Sequence, residues 1–157
     1  MPIIKVESIN ISQIFDDAFV ALTQKISGVE IIHGGNDEFS QQLYRFVVKT
    51  KGAFQGFVFA EIENNLLEEI VTGINKGRKL KEAEKILFAM EYLNIVCGRA
   101  VSEINNQTGT GSRLTVPQYV TGKMPEILSD GDNAELCYQS EHGQLRIKLN
   151  YKFERKG

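Results

Sequence analysis

Two side chains are placed to do chemistry together, Glu91 and Asn94. On a helix that spacing puts them about one turn apart and projects both the same way. They belong to a row, Leu87, Glu91, Asn94, Gly98 and Ser102, that runs in steps of four and three. Asn is a poor mid-helix residue because its side chain competes for backbone groups. Gly in a helix interior costs about 1 kcal/mol relative to Ala. Such a row points to a surface selected for something other than helix stability. A carboxylate can pair with a lysine on a partner. An amide is no general base near neutral pH, but it can donate to and accept from a water and so aim it. In phosphoryl hydrolysis, positioning the water is a recognised contribution, because the transition state needs little base catalysis. Such a pair would suit hydrolysis of a phosphoprotein that already holds its own metal. The alternative is a surface acid beside an amide that bonds a neighbouring loop. The residues alone leave both readings open.

The remaining candidates are weaker. His33 and His142 sit in turn contexts with no HxH or HExxH spacing, so exposed loop histidines are expected. Ser27 and Ser112 adjoin glycines but form no GxSxG elbow. Gly109-Thr110-Gly111 follows a helix instead of opening one and lacks the Lys-Ser/Thr pair of a phosphate loop, so it reads as a flexible connection. Cys97 and Cys137 form no CxxC pair, and Cys97 lies on a helix seam, which fits a buried, reduced thiol. The mixed charges from Lys76 to Lys85 read as a solvated surface, and no metal cluster is visible.

The element that must position the pair is a long helix, Leu80 to Thr108. Its apolar seam is Ala83, Ile86, Met90, Leu93, Cys97, Val101 and Ile104. At about 100° per residue the Glu91 row lies about a quarter turn round from that seam. Upstream, Ser8 to about Ile26 is helical, with Asn10 or Ser12 as cap, Asp16 and Asp17 near the favourable end of the dipole, and Gly28 as the stop. Val29 to Ile32 is a short β run, followed by a loop from His33 to Asp37. Gln41 to Lys49 and Ala53 to Ile62 form a hairpin around Thr50-Lys51-Gly52. Phe54, Phe57 and Phe59 mark its second strand as covering a large core surface. A helix from Asn64 or Asn65 to about Lys76 follows, with capping-box spacing from Asn65 to Glu68. Leu114 to Val120 is a strand whose Pro117 requires an edge, a bend or a bulge. Thr121 to Pro125 is a turn, and Leu128 to Asn133 a loop. Ala134 to Ser140 and Leu145 to Phe153 make a second hairpin across His142-Gly143, and the last strand alternates apolar and polar residues. The fold class is α+β: a mostly antiparallel sheet with long helices packed on it.

The bulk properties agree with one domain over residues 1–157. The chain is 42% hydrophobic and 24% charged, which argues against disorder. A net charge of −2 argues against a nucleic-acid partner. Met1 to Lys5 lacks the layout of a signal peptide, and no apolar run approaches a membrane span, so a cytoplasmic location is expected.

Glu91-x-x-Asn94 on a long helix, Gly98 just beyond, and Pro117 after 22 intervening residues from Asn94 resemble the CheC/CheX/FliY family of response-regulator phosphatases. The stretches from Glu91 to Ala100 and from Leu114 to Lys123 resemble the CheX branch most, and a single ExxN is present, as in that branch. The resemblance implies hydrolysis of the aspartyl phosphate of a CheY-like receiver domain. Glu91 would pair with the receiver's active-site lysine, and Asn94 would orient the attacking water. The receiver would supply the phospho-aspartate and Mg²⁺, so the chain needs no cofactor of its own. Leu87 and Gly98 would contact the partner; Gly98 equally fits close packing within the protein. Leu87 stands where the family often has Asp or Ser, which removes a polar role there. The resemblance also implies a homodimer joined through sheet edges. The alternatives are a non-catalytic receiver-binding module using the same helix face, and a structural dimer in which Glu91 and Asn94 bond within the fold.

Overall fold

The structure, a computed structural model, describes residues 9–36, 38–123 and 127–153. The readings placed on Met1 to Lys5, Ser8, Asp37, Met124 and Pro125 lie outside these residues. The first helix, α1, spans Ile11–Ser27. Asn10 caps it, its side chain accepting from the Gln13 N–H at 3.0 Å. Gly28 ends it at φ 77°, a left-handed conformation that glycine takes without a Cβ penalty. Next come β1 (Ile32–His33), β2 (Leu43–Lys51) and β3 (Phe54–Glu63), the last two forming the expected hairpin. Helices α2 (Asn64–Ile74) and α3 (Glu82–Thr108) follow, then β4 (Arg113–Leu114), β5 (Gln118–Tyr119), β6 (Asp132–Gln139) and β7 (Gln144–Phe153).

The strands make one seven-stranded sheet in the order β1-β6-β7-β3-β2-β4, with β5 also on β2. Every pairing is antiparallel. The expected strand around Pro117 is split into β4 and β5, because proline cannot donate to the ladder and sits in the break at the sheet edge. One face of the sheet carries Phe46, Val48, Phe54, Val58, Ala60, Ile62, Leu145, Ile147 and Leu149. These join Phe15 and Phe19 of α1, Leu66, Leu67 and Ile70 of α2, and Leu93, Val96 and Ile104 of α3 in one core. All three helices therefore bury their apolar faces against the same side.

Four expectations are corrected by these contacts. Phe57 and Phe59 do not join Phe54 in that core. They have the opposite pleat parity, and their rings stack on each other at 5.7 Å on the far side of the sheet. The α2 cap is Glu63, without a side-chain cap bond, and Asn65 is already helical. The Asn65 N–H is satisfied instead by Gln41 Oε1 at 2.8 Å. Glu63 is 1% exposed and accepts from the backbone N–H groups of Ser40, Gln41 and Gln144. Asp16 is 8% exposed and serves no helix end: one of its oxygens accepts from Tyr138 Oη at 2.6 Å and lies 2.6 Å from His33 Nε2. Finally, the segment after α3 is pinned, not flexible. Asn105 bonds the Ser112 N–H and C=O at 2.9 and 2.8 Å, and Ser112 Oγ accepts from the Phe54 N–H at 2.9 Å.

Candidate functional site

Helix α3 is held at three heights. Near its start, Lys85 is 7% exposed, against the expectation of a solvated run. Its ammonium lies 3.3 Å from Glu82, 3.0 Å from Asn64 Oδ1 and 4.5 Å from the centre of the Tyr44 ring, while Tyr44 Oη donates to Glu82 Oε1 at 2.6 Å. Burial pulls the Lys85 pKa down, but Tyr44 and Glu82 outweigh it and the net shift is upward. At mid-helix, Tyr92 and Thr23 of α1, both 0% exposed, share a hydrogen bond of 2.6 Å. At the C-terminal end, Asn105 bonds the Ser112 N–H and C=O, and Ser112 Oγ accepts from the Phe54 N–H of β3, which ties the end of the helix to the sheet.

The buried face of α3 is broader than the expected seam. Leu93, Cys97, Val101 and Ile104 are buried as expected, Ile86 and Met90 are half-buried, and Ala83 is exposed. Lys85, Ala89, Tyr92, Val96 and Ala100 form a second buried row, because the helix packs on α1 and α2 as well as on the sheet. The buried arc is thereby rotated, and the Glu91 row faces almost directly away from it, about 150° round the axis instead of a quarter turn.

That row is open. Glu91, Asn94 and Ser102 are exposed, Gly98 is half-buried, and Leu87 is 61% exposed. Among the described residues neither the Glu91 nor the Asn94 side chain has a hydrogen-bond or ionic partner. This contradicts the structural alternative in which the two side chains bond within the fold. It also leaves the carboxylate, two amide donors and an amide acceptor free for a partner and a water. A Cβ at Gly98 would meet only Leu114 Cδ1, at 3.8 Å, an ordinary contact, so close packing within the chain does not require glycine there.

The other candidates fall away from this row. His33 keeps an exposed side chain but engages the buried Asp16, and His142 lies 3.5 Å from Glu141 and 3.9 Å from Glu69. Cys97 is fully buried, and burial pushes its thiol up to about 12, so it is no thiolate near neutral pH. Cys137 is also free and half-buried. Among the described residues no group of three His, Cys, Asp or Glu side chains could hold a metal ion, and no helix is long and apolar enough to cross a membrane. One exposed neighbour of the site escaped the sequence reading: Ile95, 40% exposed. Its signal was an apolar residue four positions after Glu91, outside the buried seam.

Comparison with known proteins places the chain in a family. Residues 44–141, from β2 to the turn between β6 and β7, match the model of the chemotaxis phosphatase CheX. The chain belongs to the CheX family. Its fold is similar to that of the chemotaxis protein CheX from Vibrio vulnificus (TM-score 0.77, 16% identity, covering 92% of this chain and 97% of that one). It is equally similar to CheX from Desulfovibrio desulfuricans (TM-score 0.77, 14% identity, 92% and 100%). A further neighbour is the CheX–CheY–BeF3–Mg²⁺ complex from Borrelia burgdorferi (TM-score 0.68, 12% identity, 92% and 99%). No curated protein sequence matches the chain.

Proposed function

We propose that this chain hydrolyses the aspartyl phosphate of a CheY-like receiver domain. The observation that carries the reading is the state of Glu91 and Asn94: adjacent, exposed, free of internal partners, and mounted on a helix tethered at three heights. Glu91 pairs with the receiver's active-site lysine and so fixes the register of the two proteins. Asn94 enters the receiver's site, its carboxamide holding a water in line with the phosphorus–oxygen bond to the aspartate. The water oxygen forms the new bond to phosphorus, and that older bond breaks with its electron pair going to the aspartate. Both water hydrogens leave on the phosphate, giving carboxylate and dihydrogen phosphate. The Mg²⁺ in this scheme is the receiver's, and this chain brings position alone. Leu87 and Gly98 touch the partner, the glycine letting its backbone come close. The family assignment supports the reaction class, and the Borrelia burgdorferi complex supports the partner class.

The test is loss of phosphate from a phosphorylated receiver, with and without this protein. Acceleration is expected, and Asn94→Ala should abolish it while leaving the circular dichroism spectrum unchanged. A fully active Asn94→Ala protein would sink the mechanism. Saturable receiver binding with no change in dephosphorylation rate would select a non-catalytic binding module instead. We also infer a homodimer joined along the sheet edge. On β6, β1 pairs only with Tyr138 and Gln139, so among the described residues the stretch from Asp132 to Leu136 has no strand on its outer side. Sedimentation that reports only monomer at micromolar concentration would refute it.

A further inference from the structure

The geometry points to an apolar clamp around Glu91, made by Leu87 and Ile95, that determines which receiver surface this chain accepts. The inference rests on the receiver-phosphatase reading and deepens it. Five large apolar side chains are exposed among the described residues, and the two that lie in helices are both in α3, Leu87 at 61% and Ile95 at 40%. They stand four residues before and four after Glu91. At 1.5 Å rise and about 100° per residue, each is about 6 Å along the axis from Glu91 and about 40° to one side of it, in opposite senses. Glu91 thus sits between two exposed hydrocarbon side chains, and Asn94 lies on the same exposed face, about 60° round the axis from Glu91.

Neither side chain serves the fold. Both lie outside the buried core, while Leu93 and Val96, close to Ile95 in sequence, are 0% exposed. A body that brings a phosphoryl group to Asn94 and a lysine to Glu91 must cover both. Their occupant is therefore the receiver itself, through apolar side chains on either side of its phosphorylation pocket. Burial of those side chains would exclude water around the Glu91–lysine pair and strengthen it, which is the usual arrangement of an anchor ringed by dry contacts. Charge at Glu91 carries little selectivity, because every receiver offers the same lysine in this scheme. Discrimination among receivers then falls to the two apolar contacts.

The experiment uses the full-length chain with Leu87→Gln, Ile95→Gln and the double variant. Glutamine keeps helix propensity close to that of the replaced residues. Steady-state hydrolysis is measured against phosphorylated receivers, and affinity against the same receivers loaded with beryllofluoride and Mg²⁺. The double variant should raise KM and Kd by about tenfold or more for the preferred receiver, with kcat falling less than threefold and no loss of thermal stability. Unchanged KM and Kd while hydrolysis persists would overturn the clamp and leave the phosphatase reading standing. Binding that weakens in the double variant without hydrolysis by any form would keep the clamp and sink the phosphatase reading. A fall in kcat at constant KM would also overturn the clamp, since it would place the two residues in water positioning. If no receiver binds, both are wrong.

Discussion

Asn94 and Gly98 are costly choices for a helix, and each makes a two-sided prediction. Asn94 is exposed and without an internal partner, so Asn94→Ala should stabilise the fold by about 0.5 kcal/mol while removing activity. Gly98→Ala should stabilise by up to about 1 kcal/mol, because the added methyl meets only Leu114 Cδ1 at 3.8 Å. On the proposed receiver complex it should also raise KM, since the methyl would stand where the partner's backbone comes close. Urea melts and receiver kinetics on the two variants check both halves. A Gly98→Ala protein that is less stable would return the glycine to a packing role. A fold gains nothing from holding such residues in its best-anchored helix, so a gain in stability coupled to a loss of function is what a binding surface predicts.

At the scale of elements, the question is what keeps α3 still. The Tyr92–Thr23 bond ties it to α1 in a fully buried setting. Tyr92→Phe leaves the Thr23 hydroxyl without that partner and should cost about 1–3 kcal/mol of stability, read by urea denaturation. It should spare catalysis far more than Asn94→Ala does, because the tethers at Lys85 and Asn105 remain. A loss below about 0.5 kcal/mol would show that the Thr23 hydroxyl finds another partner. Of the three tethers, none was legible in the sequence. Periodicity identified α3 and its exposed row, because those depend on spacing within one segment. The tethers join residues far apart: Tyr92 to Thr23, Tyr44 to Glu82 and Lys85, and Ser112 to Phe54. Long-range pairing also made Lys85 look like surface, and it hid the buried Asp16 behind an argument about helix dipoles. Phe57 and Phe59 fall outside the core for a local reason: their pleat parity puts them on the opposite face from Phe54, which a count of aromatics does not show. The Glu91–Asn94 pair is legible because its members lie within one turn, whereas Ile95 falls outside the spacing of that row.

For the whole molecule, the buried protonated groups set how the fold responds to alkali. Burial pushes the Cys97 thiol up to about 12 from its ordinary value of 9.0. Burial also raises Tyr92 and Tyr138, and Lys85 is raised by Tyr44 and Glu82 against its own burial. In each case the folded chain holds its proton more tightly than the unfolded chain. Unfolding therefore releases protons once the pH passes the unfolded values. The stability these groups contribute is complete below about pH 8 and falls as the pH climbs through the unfolded values toward the folded ones. For Cys97 alone the loss should reach about 2 kcal/mol by about pH 10.5, taking 1.36 kcal/mol per pH unit above the unfolded value. Cys97→Ala isolates this share. The variant should be less stable than the parent near pH 7, where the small cavity it leaves is the main difference. Its stability should then decline less steeply, so that the two curves converge as the pH rises. Urea melts from pH 7 to about pH 10.5 give both curves. Parallel curves would mean that the Cys97 thiol titrates alike in the folded and unfolded chains, which is incompatible with a side chain sealed beneath α3.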